Sequence, residues 1–293
     1  MTTVATSPHP TRTARRRRTR TVVATTARYV VLVAGAAIMV TPFLFMLSTS
    51  FTAQAYVLTI PPQFIPRPFT WQNYTEALTS QNFARYFLNS AIVAVISTAL
   101  SVLISSMMAY GFARYRFRGR EVLFRILLVG LVVPAMMLII PQFILAKELR
   151  LLDSWAGLIV FYVAGSLALN VYLLRGFFEA IPGELDQAMQ VDGAGEWARY
   201  WRLAMPLAAP ALATVTIFTF LACWDEFVWA LTIINTPGLR TLPIAIELFQ
   251  GQNSTEWGLV FAASVIAIVP VVAVFLVFQR YFVQGLSAGA LKG

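Results

Sequence analysis

The sequence predicts an all-α integral membrane protein, and its composition, its long apolar stretches and the placement of its basic residues support that class. Apolar residues make up 58% of the 293-residue chain, and charged residues make up only 12%. A soluble domain carries about 25% charged residues, so this chain has too few charges to cover a water-facing surface. Its hydrophobicity also excludes intrinsic disorder, and its single cysteine excludes a disulfide scaffold.

Six stretches are long and apolar enough to cross a bilayer as helices, which takes about 20 residues each. None alternates polar and apolar residues as a barrel strand does. The first is longer than the apolar run of a signal peptide and lacks a cleavage site, so we expect it to be retained. We expect Pro134 and Pro141 to break the third span and Pro270 to break the sixth. The predicted spans cover residues 29–49, 88–112, 126–146, 155–174, about 207–233 and about 258–278.

The basic residues predict the orientation of these spans. Seventeen of the 22 Lys and Arg residues fall on the side that holds both termini, and five fall on the other side. The positive-inside rule therefore places both termini in the cytoplasm. We expect residues 1–28 to be a disordered basic tail, with contact to anionic lipid as an alternative role, and residues 29–293 to form the membrane domain. The net charge of +9 reflects this topology, so we expect no nucleic-acid partner.

The chain offers few groups for covalent chemistry. Its only histidine, His9, lies in the polar tail, and its only cysteine is Cys223. A His/Cys metal cluster and a nucleophile–base set within the membrane are therefore excluded. No G-x-x-x-x-G-K-[ST] motif is present, so the chain does not bind ATP through a P-loop. We predict no catalytic residue, no metal site and no cofactor in this chain. A secondary transporter would show midplane charges and often inverted repeats, and neither is visible.

A polar connection at residues 177–206, on the predicted cytoplasmic side, carries the most information. Pro182 suits the first turn of a helix, and Glu184 and Asp186 suit the positive end of its dipole. Gly193 suits a left-handed cap at the helix end. A second short helix is expected from about Glu196 to Leu203, ending before Pro206.

Leu185, Ala188 and Met189 form a narrow apolar stripe along the first of these helices. Such a helix lies on a lipid surface or docks into the groove of a soluble partner. Helices that lie on lipid are usually rich in Lys and Arg, and this helix has neither. The pattern therefore favours a soluble partner.

This segment resembles the EAA loop of ABC importer permeases, whose pattern is roughly P-x-E-L-x-E-A-A-x-x-D-G-A followed by L-P-L-x-x-P. Four other stretches resemble the carbohydrate-uptake branch of that family, in particular its maltose-permease-G-like subunits. They read AYGFARYRFRGR (109–120), LLDSWAGLIV (151–160), CWDEF (223–227) and FQRYFVQGLSAGALKG (278–293). The resemblance extends over about residues 29–293. The residues that match the EAA pattern are Pro182, Glu184, Leu185, Ala188, Asp192, Gly193, Ala194, Pro206, Leu207 and Pro210.

The resemblance implies the fold of type I ABC importer permeases and a subunit that translocates a sugar, such as a di- or oligosaccharide, by alternating access. A non-sugar solute such as a glycerophosphodiester stays open, because the EAA loop does not distinguish cargoes. The implied partners are a second homologous permease, two ATPase subunits or domains that hold ATP and Mg, and an extracytoplasmic solute-binding protein. The implied location is the plasma membrane of a prokaryote, surrounded by lipid.

In this family the short helix of the EAA loop is the coupling helix, which sits in a cleft of the ATPase. Two positions depart from the pattern, because Gln187 stands where Glu is usual and Met189 replaces the second Ala. We expect docking to be retained with altered electrostatics. The residues to which the resemblance assigns coupling are Glu184, Leu185, Asp186, Gln187, Ala188, Met189, Asp192, Gly193 and Ala194.

Asp225 and Glu226 are the only acids inside a predicted span. At a rise of 1.5 Å per residue, Asp225 lies about 27 Å from Leu207, towards the external end. The pair either lies in the headgroup region or lines a water-filled solute path together with Trp224, since aromatic faces and carboxylates suit a sugar. Asn170, deep in the fourth span, either lines that path or joins two helices by a hydrogen bond.

Overall fold

The computed structural model describes residues 12–57, 64–80, 82–250 and 255–290, and it describes side-chain burial for those between 24 and 280. Helices are the only regular secondary structure in these ranges, and β pairing there is limited to two isolated bridges. The α-helices are α1 Arg12–Ser50, α2 Gln72–Thr79, α3 Phe83–Arg114, α4 Arg120–Val129, α5 Ile139–Glu148, α6 Trp155–Ala180, α7 Gly183–Val191, α8 Glu196–Arg199, α9 Met205–Leu207, α10 Ala209–Trp224, α11 Val228–Ile233, α12 Leu242–Leu248 and α13 Trp257–Ala290.

Among the described residues, four helices are long and apolar enough to cross a membrane, and they include the first, second, fourth and sixth predicted spans. They are Ala24–Ser50, Phe83–Arg114, Trp155–Ala180 and Trp257–Arg280. The first of them buries none of its apolar window within the chain, as expected for a helix that faces lipid or another subunit. Helix α1 begins at Arg12, so residues 12–28 of the predicted disordered tail are helical in the structure. Residues 1–11 lie outside the described residues, and their predicted disorder stays a prediction.

The third predicted span is not one continuous helix. Helix α4 ends at Val129, a 3₁₀ turn follows at Ala135–Leu138, and α5 begins at Ile139. Pro134 precedes this turn in an extended conformation, as expected for a residue that cannot donate a helical hydrogen bond. The predicted break at Pro134 is confirmed. Pro141 lies within the first turn of α5, where a missing N–H has no cost, so it does not break that helix.

The predicted fifth span, residues 207–233, is also interrupted. Its helix begins after a bend of 77° at Ala208 and ends at Trp224, and α11 starts four residues later at Val228. The second short helix of the polar connection likewise continues past Leu203, because α8, a π-helical turn at Tyr200–Ala204 and α9 follow one another without a gap. A π turn widens the backbone ahead of Pro206, whose ring would clash with a carbonyl in a regular α-helix.

The predicted break of the sixth span is wrong, because α13 is continuous through Pro270. Membrane helices tolerate an internal proline when neighbouring groups or small backbone adjustments compensate for the lost hydrogen bond. The hydrophobic pattern therefore placed this span correctly, although the effect of its proline was overestimated.

Helices α3 and α6 form the centre of the packing. A stripe of small residues on α3 faces inward at spacings of three and four, which lets the backbones approach closely. The Ser166 hydroxyl of α6 donates a hydrogen bond of 2.8 Å to Ser101 of α3. The buried residues of the stripe are Ser90, Ala94, Ser97, Ser101 and Ser105.

Gly157, in the first turn of α6, is a position where only glycine fits. A Cβ atom there would lie 2.2 Å from the carbonyl oxygen of Leu151. We expect Gly157→Ala to destabilise the protein by about 1–3 kcal/mol, the usual cost of overpacking. Gly176→Ala on the same helix is the matched control, since a Cβ there meets nothing within 4 Å. Thermal unfolding of both variants in detergent tests this, and equal midpoints would contradict it.

Asp153, just before α6, bonds to Asn235 and Thr236 through a set of hydrogen bonds that we call the polar clasp. Asp153 Oδ1 accepts hydrogen bonds from the backbone N–H groups of Asn235 (2.9 Å) and Thr236 (2.8 Å). Its Oδ2 accepts the Thr236 hydroxyl at 2.6 Å. The Thr236 hydroxyl and these backbone donors hold the pKa of Asp153 below its usual value, because they favour the ionised carboxylate.

The clasp predicts a defined pH dependence. A depressed pKa stabilises the folded state above the unfolded-state pKa of about 3.9. That contribution is lost as pH falls through the lower folded-state pKa. We expect Asp153→Asn to lower the unfolding midpoint at neutral pH. The difference in midpoint between the variant and the unsubstituted protein should become smaller below about pH 4. Midpoints measured across pH 3–7 test this, and a gap that stays constant with pH would refute it.

Candidate functional site

The first helix of the polar connection is the predicted one, and local signals explain both of its ends. Glu184 and Asp186 lie in the first turn of α7, where acids complement the helix dipole. At the other end Gly193 has a φ of +81°. The Gly193 N–H donates to the Gln190 carbonyl (3.0 Å) and the Ala194 N–H donates to the Met189 carbonyl (2.9 Å). This pair of bonds is the Schellman motif, which uses a left-handed residue to end a helix.

Helix α7 presents apolar side chains that the described chain leaves largely uncovered. It has no buried residue, and Leu185 is 42% exposed. Ala188 is exposed and Met189 is partly buried. Val191, which the sequence analysis missed because it lies off the stripe, is 87% exposed. A short helix with an uncovered apolar surface is suited to docking in a groove.

Arg199 joins α7 to α8, and sequence reasoning did not identify it. The side chain is nearly buried, and its Nη1 lies 3.0 Å from Asp186 Oδ2. Its Nη2 forms a second ion pair, with Glu196. The Tyr115 hydroxyl also donates to Glu196. The only available signal was the i, i+3 spacing of Glu196 and Arg199, which is common on helix surfaces.

The connection is fixed to the membrane helices as well. The Tyr200 and Ser106 hydroxyls lie 2.7 Å apart, which links the π-helical turn to α3. Arg114 at the end of α3 donates to the Ile181 carbonyl at 3.0 Å, just before α7. Partial burial, and then the bond to Glu196, hold the pKa of Tyr115 above its usual value, so its hydroxyl stays a donor. The bonds of Tyr200 and Ile181 thus join the two ends of the α7–α8 segment to α3.

The four polar residues predicted for the solute path fall into two groups. Asn170 and Glu226 line one cavity, whereas Trp224 and Asp225 line another. Trp224 is 2% exposed, stacks on Phe220 and donates its indole N–H to the Ala267 carbonyl at 3.1 Å. Its contacts are those of a core residue. The role of all four in a solute path stays a prediction.

Glu226 explains why the helix restarts after the break at residues 225–227. Its Oε1 accepts the Trp229 N–H at 2.7 Å, and its Oε2 accepts the Ala230 N–H at 3.0 Å. These are free N–H groups of the first turn of α11. The same Oε2 accepts the Tyr162 hydroxyl of α6 at 2.8 Å. A carboxylate in this setting interacts with the positive end of a helix dipole and needs no external counter-ion.

Asn170 links two helices and also lines the cavity. Its side-chain N–H donates to Thr219 Oγ1 of α10 at 3.0 Å, and the residue is 3% exposed. The two roles considered for it from the sequence are therefore compatible. The shared cavity has a volume of about 470 Å³ and lies between the 131–142 segment, α6, α10 and α11.

The chain matches one known protein family and several characterised relatives. The family model of "binding-protein-dependent transport system inner membrane component" matches residues 101–288. A sulfoquinovosyl glycerol transport system permease protein from Agrobacterium fabrum is 37% identical, over 86% of this chain and 88% of that protein. A trehalose/maltose transport system permease protein from Thermococcus litoralis is 36% identical, over 90% of this chain and 97% of that protein.

Two solved structures share the fold. One chain comes from a bacterial ABC transporter involved in the import of the acidic polysaccharide alginate, and it matches with a TM-score of 0.76 and 25% identity. The match covers 94% of this chain and 100% of that chain. A second chain, from the alginate transporter in complex with a periplasmic protein bound to an alginate pentasaccharide, matches with a TM-score of 0.65 and 11% identity. The family model covers more than half of this chain, and both relatives match most of it at more than 30% identity, so this chain belongs to the binding-protein-dependent transport system inner membrane component family.

Proposed function

We propose that this chain is a membrane-spanning permease subunit of an ATP-driven ABC importer for a sugar. The observation that carries the proposal is α7, an exposed helix with largely uncovered apolar side chains, whose flanking residues Ile181 and Tyr200 bond to α3. Family membership supports the transport role. Two relatives are permeases of sulfoquinovosyl glycerol and trehalose/maltose transport systems, which supports a sugar as the cargo.

We propose six crossings with both termini in the cytoplasm, as in type I importer permeases. The four long helices supply four crossings, α10 with its bent lead-in supplies a fifth, and α4 with α5 supplies a broken sixth. The arginines at the cytoplasmic end of α3 favour this orientation under the positive-inside rule. On this basis the protein lies in the plasma membrane of a prokaryote.

The proposed partners follow from what the chain lacks and what its surface offers. The sequence contains no P-loop, so ATP and Mg would be held by two separate ATPase subunits or domains that receive α7. A second, homologous permease would cover the open side of the cavity. A solute-binding protein would deliver the sugar from outside. One of the two solved relatives is described with a periplasmic protein, which supports this last partner.

The mechanism proposed is alternating access driven through α7. When the ATPases close on ATP, they would carry α7 and α8 with them. Because Tyr200 and Arg114 bond this unit to neighbouring segments, its movement would tilt the membrane helices and open the cavity outward. Such a change is a rocking transition between two states, and it requires a stiff connection.

Copurification tests the proposal most directly. The tagged chain is expressed in its native host, extracted in mild detergent, and its stoichiometric companions are identified by mass. We expect a nucleotide-binding protein and a second permease of similar size. ATP-dependent uptake of a panel of sugars into proteoliposomes then tests the cargo. A homo-oligomer that transports without any ATPase would refute the proposal.

A further inference from the structure

A small cavity lined by aromatic rings lies where the end of α3 packs against α8 and the π-helical turn. Its volume is about 250 Å³, which is below the range of about 300–1,000 Å³ that is usual for pockets that hold a whole ligand. The cavity therefore suits a single chemical group. We call it the aromatic box, and the residues that line it are Met107, Tyr110, Tyr115, Glu196, Trp197 and Tyr200.

The four aromatic rings of the box stand at steep angles to one another. Tyr110 contacts Tyr115 with ring centroids 5.9 Å apart and an interplanar angle of 88°. It contacts Tyr200 at 5.2 Å and 63°, and Trp197 contacts Tyr200 at 6.1 Å and 82°. Rings set in this way form adjacent walls, and aromatic cages of this kind bind organic ammonium groups through cation–π attraction.

The charge that lines the box is negative. Glu196 is the only charged residue among the described residues that line it. Arg199 does not line the box, and it is shared between Glu196 and Asp186, so two carboxylates have one counter-ion. Arg114 does not line the box either, because it donates to the Ile181 carbonyl. A cation in the box would therefore face a carboxylate, with no Lys or Arg in the wall.

Tyr110 adds a free hydroxyl to the box. The residue is 5% exposed, and its hydroxyl forms no hydrogen bond with the described residues. The other two tyrosine hydroxyls of the box bond to Glu196 and Ser106. A tyrosine hydroxyl can donate and accept, so that of Tyr110 can accept a hydrogen bond from an ammonium N–H.

The depth of the box corresponds to the headgroup region of a bilayer. Helix α3 ends at Arg114, and Met107 lies seven residues earlier, about 10 Å further along the helix at 1.5 Å per residue. The headgroup layer on each side of the hydrocarbon core is about 5–8 Å thick. Trp197 and Trp201 are 63% and 49% exposed, and exposed Trp is typical of the membrane–water interface. A phospholipid headgroup can therefore reach the box.

We propose that the aromatic box binds an organic ammonium group, and that the ethanolamine headgroup of a phospholipid supplies it. The rings match the cation, the Glu196 carboxylate provides the opposite charge, and the Tyr110 hydroxyl accepts a hydrogen bond. A lipid bound here would contact both α3 and α8 and would bridge the membrane helices and the polar connection. The proposal concerns a lipid ligand, so it does not depend on which solute the chain transports.

The test measures lipid binding to the full-length chain, purified with the subunits that accompany it, by native mass spectrometry over a range of lipid concentrations. The probes are dioleoylphosphatidylethanolamine and its N-acetyl derivative, which has the same acyl chains and phosphate but no ammonium group. We expect the ammonium lipid to bind at least about fivefold more tightly. This factor corresponds to about 1 kcal/mol, the scale of one cation–π contact.

Two tryptophan variants assign the preference to the box. Trp197→Leu removes one wall, and we expect it to lower the affinity for the ethanolamine lipid about fivefold and to leave the N-acetyl lipid unaffected. Trp201→Leu is the matched control, because both indoles are exposed and both contact the Tyr200 ring, but only Trp197 lines the box. Trp197→Phe keeps an aromatic face and should restore most of the binding, whereas a merely apolar contact would not distinguish leucine from phenylalanine.

Competition with free ethanolamine distinguishes a lipid from a soluble amine. Retention of the bound lipid at an equal concentration of free ethanolamine supports the lipid as the source. Displacement under that condition would keep the ammonium site but overturn the lipid as its source. Equal binding of the two lipids, or equal losses in Trp197→Leu and Trp201→Leu, would overturn the site itself. None of these outcomes bears on ATP-driven uptake, so the proposed function is tested separately.

Discussion

Replacing Gly193 with leucine is expected to abolish most ATP-driven uptake while leaving the protein normally expressed. The residue has a φ of +81°, a conformation that costs roughly 1–2 kcal/mol for a residue with a Cβ. The Schellman bonds of Gly193 and Ala194 depend on this conformation. Leucine would unwind the end of α7 and change its direction relative to α8. We expect uptake to fall by about tenfold or more, since each 1.4 kcal/mol of lost docking corresponds to a factor of ten.

Two further variants distinguish the effect of the backbone from that of side-chain size. Gly193→Asn adds a side chain but tolerates the left-handed conformation, so it should keep much more uptake than Gly193→Leu. Gly195→Ala lies two residues away at a φ of −70° with free space around the Cβ position, and it should transport normally. Uptake and ATP hydrolysis are measured in proteoliposomes. Normal uptake by a well-expressed Gly193→Leu variant would refute the coupling assignment.

Local signals in the sequence were sufficient to predict α7. The acids of its first turn, its apolar stripe and the left-handed glycine at its end all act within a few residues of one another, so no tertiary information was needed. The same holds for the long spans, because about 20 apolar residues have few alternatives to a membrane helix. The start of α6 at Trp155 was predicted to the residue.

The break of the third span at Pro134 was predicted, but the interruption of the fifth span could not be placed from the sequence, because it depends on a partner distant in the chain. Pro134 and Pro270 are both prolines within apolar runs, yet only the first accompanies a break. The helix start at α11 depends on Glu226, whose carboxylate also bonds to Tyr162 on another helix. An apolar run with two acids near its end predicts neither that contact nor the new helix start.

The same limitation applies to the cavity of about 470 Å³ between the membrane helices. Gln142 and Trp229 are separated by nearly ninety positions in the sequence, and neither belongs to a motif. Only the packing of α5, α6, α10 and α11 brings them to one wall. Asp225 and Glu226 were predicted for the solute path as the only acids inside a predicted span, and Trp224 as the aromatic residue beside them. Residues next to each other in a chain that breaks between two helices, however, point in different directions. Glu226 and its two neighbours therefore line separate cavities.

Replacing Arg199 with alanine is expected to uncouple ATP hydrolysis from transport. The guanidinium bonds to Asp186 of α7 and Glu196 of α8, so its loss leaves two carboxylates close together without their shared counter-ion. Hydrogen bonds to charged groups contribute about 1.5–3 kcal/mol each when they are well ordered. Because Glu196 is half exposed, we expect a local loosening of the helix pair with little change in global stability. We expect ATP hydrolysis to persist while uptake per ATP falls by about fivefold or more, the factor for about 1 kcal/mol.

Arg202→Ala is the matched control for Arg199→Ala. Arg202 lies three residues further along, is exposed, and forms no ion pair with the described residues. Its removal should leave uptake per ATP unchanged, although it removes the same charge from the same segment. Arg199→Lys should rescue only partly, because a single ammonium group does not span two carboxylates as a planar guanidinium does. If Arg199→Ala and Arg202→Ala transported equally well, the charge alone would matter. The rigid link between α7 and α8 would then have no part in driving the membrane helices.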